Sequence, residues 1–140
     1  MQVRLSLIVA GLGVVLGGAV PVLAHHAFSA EFDGNRPITL RGTVVRMEWV
    51  NPHAWLTMEV KGPDGKATTW DIEAGAPNAL FRRGFRKDSL PAGTEIIIEG
   101  FQAKSGKNMA NGRNLTLPDG KQLFMGASGT GAPGPEPKEK

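Results

Sequence analysis

The stretch "ITLRGTVVRMEW", Ile38 to Trp49, decides the fold. Its apolar residues first fall on even positions, at Ile38, Leu40 and Val44, and then on odd ones, at Val45, Met47 and Trp49. Alternation of this kind marks a strand with one buried face. A change of parity inside it moves burial to the other face, which a bulge or sharp bend beside Gly42 accomplishes. The first strand is therefore expected to be long and curled.

Beyond Asn51-Pro52, "AWLTMEV" places Ala54, Leu56, Met58 and Val60 on one face, and "GPDG" from Gly62 to Gly65 supplies hairpin-turn chemistry. "ATTWDIEA" returns with Trp70 and Ile72 inward and with Asp71 and Glu73 outward, in water. In "APNALFRRGF", Pro77 or Asn78 can start a short helix, Leu80 and Phe81 give it an apolar side, and Gly84 can stop it. "TEIIIEGF" reads as a fourth strand. "RNLTLPDGKQLF" holds a fifth, with a tight turn at Pro118-Asp119-Gly120. The order is strand, strand, strand, short helix, strand, strand. It predicts an all-β fold, a five-stranded, partly open OB-like barrel with one helix between strands 3 and 4. A β-sandwich is the alternative, for which the strands are too few.

The flanks differ from this region. Arg4 precedes an apolar, glycine-rich stretch from Leu5 to Val20, and Pro21 leads into Val22-Leu23-Ala24, a secretory signal with cleavage expected after Ala24. A retained membrane anchor is the weaker reading, because the run is short and has no basic stop-transfer flank. The expected organisation is a signal at residues 1–24, one barrel domain at 25–125, and a disordered Gly/Pro/charged tail at 126–140. The expected location is the periplasm. Losing Arg4 with the leader lowers the formal net charge of +3 by one, too little to imply a polyanionic partner. The chain has no cysteine, which excludes disulfides, thiolate metal sites and a Cys nucleophile.

Two of the three histidines, His25 and His26, would then open the mature chain. A residue at the new terminus carries an α-amine, titrating near ~8, and His25 adds an imidazole, near ~6.5, so it can chelate one ion through two nitrogens. His53, in the "NPHAW" turn, is the candidate third donor, placed on a barrel rim, and His26 competes for that role. Such a nitrogen-rich set favours Cu(II). The plainer readings are a solvated His-His start and a rim histidine bonded to its own turn. Met47 and Met58 occupy inward positions and read as core filler rather than soft ligands.

The residues support no enzyme reading. There is no nucleophile elbow and no Gly-rich phosphate loop, and the acidic residues Glu31, Asp33, Glu48, Asp71 and Glu73 form no evident acid/base pair. A second binding reading uses Trp55, on an outward phase beside His53, with Asn51 and the basic cluster of Arg82, Arg83, Arg86 and Lys87. Such a surface could dock a partner protein or an envelope glycan. Export argues against nucleic acid, and signal cleavage would leave no membrane span.

"HHAFSAEFD", "LRGTVVRMEWVNPHAW", "LFRRGFRKDSLPAGTEIIIEG" and "NLTLPDGKQLF" together resemble a family of small exported bacterial proteins, domain of unknown function 6152. The likeness runs from His25 to Phe124. Its most specific marks are the paired histidines and W-x-N-P-H, here Trp49, Asn51, Pro52 and His53. Relatives carry Trp where this chain has Phe85. The resemblance implies a secreted single barrel domain and names no ligand.

Overall fold

The structure, a computed structural model, describes residues 28–127. The signal segment, His25 and His26, and all but the first residues of the expected tail lie outside the described residues. A helical turn over residues 28–31 leads directly into β1 (Phe32–Glu48). Then come β2 (Trp55–Lys61), β3 (Ala67–Glu73), α1 (Pro77–Arg82), β4 (Glu95–Ala103), β5 (Met109–Thr116) and β6 (Gln122–Phe124).

All but one of the strand pairings are antiparallel, in the order β3-β2-β1-β4-β5-β6. The exception is a parallel pairing of β3 with β5, which joins strands otherwise separated by three others and closes β1-β2-β3-β5-β4 into a ring. This is the all-β arrangement expected, with the long first strand shared between β2 and β4. The expected fifth strand is divided: β5 stops at Thr116, and the sequence beyond the Pro118-Asp119-Gly120 turn returns as a separate short strand, β6.

The curl of β1 lies where the apolar parity changes. Its register with β2 slips between Val44 and Arg46, so one extra residue turns the strand. Gly42 answers a different need. A Cβ there would stand 2.1 Å from the carbonyl oxygen of Glu59, so the β1 and β2 backbones approach closely enough to exclude any side chain.

Leu40, Val44, Leu56, Met58, Ile72, Leu80, Ile96, Ile98 and Leu115 are buried together inside the ring. The helix begins with Pro77, whose missing N–H costs nothing in a first turn, and Leu80 is its buried anchor. It stops where Gly84 adopts φ +98°, and Phe81 stacks on Trp49 at 4.9 Å. Trp49 and Trp70 pack against the core as expected.

A second, smaller cluster sits on the outside of the ring. Phe28 and Phe32 bury themselves against Ala103, Phe101 and Met109, with the Phe28 ring edge-on to Phe101 at 5.7 Å. The backbone N–H of Lys104 donates to the carbonyl of Glu31 at 2.9 Å. The amino-terminal turn is thus fastened over the outer face of β4 and β5.

Candidate functional site

The parallel seam between β3 and β5 pairs Ile72 with Ala110 and Glu73 with Asn111. Ile72 and Ala110 point into the core, so their neighbours Glu73 and Asn111 share the opposite, outer face. Across the other strands of that row, Trp55 of β2 stands opposite Glu73 and Phe101 of β4 opposite Asn111. The row Trp55, Glu73, Asn111 and Phe101 therefore crosses four strands. Its Phe101 end lies against Phe28 of the amino-terminal turn.

Glu73 departs from its expected place in water, with a side chain only 9% exposed. The alternation of β3 put it outward correctly, but outward here means beneath other parts of the chain. Burial, together with the nearby Glu31 carboxylate, pushes the Glu73 carboxyl up to about 7.

His53 meets it. Nδ1 of His53 lies 2.6 Å from Oε1 of Glu73, with the imidazole 30% exposed, so this histidine is paired with a side chain of β3 as well as carried by its turn. One proton between the two groups satisfies both, as imidazolium beside carboxylate or as carboxylic acid beside neutral imidazole. The turn that carries His53 is held close to β3 by Ala54, whose N–H donates to Gly75 at 3.0 Å and whose carbonyl accepts from Ala74 at 2.9 Å.

Asn111 is 1% exposed, and its Oδ1 accepts no hydrogen bond. The contrast with the adjoining row is informative. There Thr57 Oγ1 donates to Asp71 Oδ1 at 2.9 Å, a polar pair that satisfies itself. Among the described residues, no three His, Asp or Glu side chains converge on a metal position. His53 and Glu73 offer two donors of that kind.

The other candidate residues lie apart from this pair in different ways. Trp55 is half-buried in the same row, and Asn51 is exposed after β1, before a cis peptide bond to Pro52. Arg82 is exposed, whereas Arg83 is half-buried. Its Nη1 donates to Gly126 at 2.5 Å, and its guanidinium covers the Phe124 ring at 4.8 Å. Arg86 likewise donates to the carbonyls of Phe81 and Phe85. Much of the basic cluster thus fastens α1 and the segments after it. Gly126 and Ala127, at the start of the expected tail, are buried.

The family model that matches this chain is described as "Family of unknown function (DUF6152)" and covers residues 13–112. No curated protein matches the chain. The match takes in all three histidines, the Glu73 row and the ring as far as Gly112, and the chain belongs to this family.

Proposed function

From that membership, which carries no activity, we propose that the protein is an exported binding protein for a transition metal, copper first. The metal would be held by the α-amine and imidazole of His25 with the imidazole of His53 or, in its place, that of His26. The observation that carries this reading is the contact of His53 Nδ1 with Glu73 Oε1 at 2.6 Å. A nitrogen and an oxygen of metal-binding type meet on a sheltered face, where an ion can take the place of a proton between them.

The placement of the amino-terminal turn supports the rest. Phe28 is fixed against Phe101, and Glu31 is near enough for its charge to bear on Glu73. An extended chain spans at most about 3.5 Å per residue, so covalent reach alone keeps His25 within roughly 10 Å of Phe28. Glu73, absent from the residues expected to bind metal, either joins the donors or holds the imidazole in one tautomer, as carboxylates beside metal-bound histidines do.

Intact mass of the exported protein, with and without one equivalent of Cu(II), tests both parts of the reading, followed by competition against a chelator of known affinity. The expected result is a chain starting at His25 that keeps one copper, with His25→Ala and His53→Ala each losing affinity. Copper held no better than by an exposed histidine pair would end the metal reading. Attention would then pass to the half-buried Trp55 surface as a docking face for a partner protein or glycan.

A further inference from the structure

We propose that Asn111 supplies a further donor beside the His53–Glu73 pair, a neutral amide oxygen, so that the ion is held by mixed nitrogen and oxygen ligands. The inference rests on the metal reading above and narrows its ligand to a borderline divalent ion, of the Cu(II) and Zn(II) class, against soft monovalent copper.

Three observations carry it. The first is burial without a partner: Asn111 is 1% exposed and its Oδ1 has no donor. An acceptor left alone in a protein interior is costly, so the fold keeps it at a loss unless something else satisfies it. The second is direction. Glu73 and Asn111 are register partners across the parallel seam, and their side chains leave the same face of adjacent strands. The third is the chemistry of the neighbours. On its other side Asn111 faces Phe101, which offers no donor, and the acids nearby, Glu73 and Glu31, bring only oxygens when ionised. Phe101 and the two ionised acids thus present no donor to the Asn111 oxygen, an arrangement complementary to a cation.

The histidine is within reach of the same place, since His53 already touches Glu73. His53, Glu73 and Asn111 thus offer one nitrogen and two kinds of oxygen from the β2 entrance, the end of β3 and the middle of β5. No trio of His, Asp and Glu exists among the described residues, and the amide is what raises the donor set above two. Amide and carboxylate oxygens are hard ligands that suit divalent ions, whereas monovalent copper seeks sulfur, and the Met109 thioether on this face is packed against the Phe28–Phe32 cluster.

The test uses the full mature chain and Cu(II) alone as the probe. Wild type, Asn111→Leu, Asn111→Asp and Asn111→Ser are compared by chelator competition and by electron paramagnetic resonance. Asn111→Leu should weaken binding on the order of ten- to a hundredfold, the range seen when even a supporting partner of a ligand is lost. It should also shift the copper signal toward a more nitrogen-dominated set. Asn111→Asp, which keeps an oxygen there and adds charge, should bind more tightly than wild type.

Unchanged affinity and an unchanged signal in Asn111→Leu would overturn the role of Asn111 and leave the histidine reading standing. No binding by wild type would overturn both. If thermal melts show that the leucine variant does not fold, the aspartate and serine variants decide. Aspartate binding no tighter than wild type, or serine matching it with the same signal, would overturn the assignment.

Discussion

Glu73 shows how a single residue couples position to protonation. Its carboxyl is pushed from an ordinary 4.5 to about 7 by burial and by Glu31. A carboxyl whose folded value lies above its unfolded one stabilises the fold fully below about 4.5, and that contribution is lost as the pH rises through 7. The loss amounts to about 3 kcal/mol at most, less whatever His53 returns to the ionised form. Glu73→Gln should therefore flatten the pH dependence of urea midpoints between about pH 4.5 and 7, with the larger gain near neutrality. A profile as steep as wild type would assign the slope to other groups. The same proton bears on binding: an ion displacing it should bind more tightly as the pH rises through about 7, measurable as protons released per copper bound. Little of this was legible in sequence. The outward phase of Glu73 in "ATTWDIEA" was readable, but its cover comes from elsewhere in the chain, and alternation within one strand carries no trace of it.

The first strand is the element in which sequence and structure agree most closely. Its parity change anticipated the slip between Val44 and Arg46, because a slip is the only local way to move burial from one face to the other. Gly42 was tied to that bend by proximity, whereas its structural role is close approach to Glu59. Gly42→Ala should accordingly cost about 3 kcal/mol, since a Cβ set 2.1 Å from a backbone oxygen forces two strands apart. Urea denaturation reads this, and a cost under about 1 kcal/mol would mean that β2 yields easily. Gly100 is its counterpart on β4, with a Cβ placed 2.1 Å from the carbonyl oxygen of Asn111. Gly100→Ala should displace β5 under Asn111 and lower stability and copper affinity together. The split of the last expected strand into β5 and β6 escaped the pattern because "LTLPDGKQLF" keeps its apolar spacing across the turn.

At the scale of the whole molecule, the main core fills the ring, and the small cluster of Phe28, Phe32 and Ala103 fastens the amino-terminal turn outside it. Phe28 and Phe32, four residues apart, make that docking, and nothing in their spacing says which face receives them. Phe28→Ala should cost about 3 kcal/mol from the loss of a buried ring. It should also speed amide exchange in residues 28–36 and at Asn111 while leaving the interior of β2 protected. Uniform loss of protection through the ring would show instead that the turn is integral to the core.

The parallel seam has a consequence for the order of events during folding. Hairpins such as β2-β3 form from neighbours in sequence, whereas Glu73 and Asn111 meet only after β4 has been laid down and β5 has returned across the open gap. Contacts of that separation form late, because the intervening chain must first be closed into a loop. The meeting of these two residues thus acts as a completion mark for the ring. Trp55, paired to Glu73, is a built-in fluorophore beside that mark, and its slowest emission change during refolding should date the moment at which the protein first becomes able to bind.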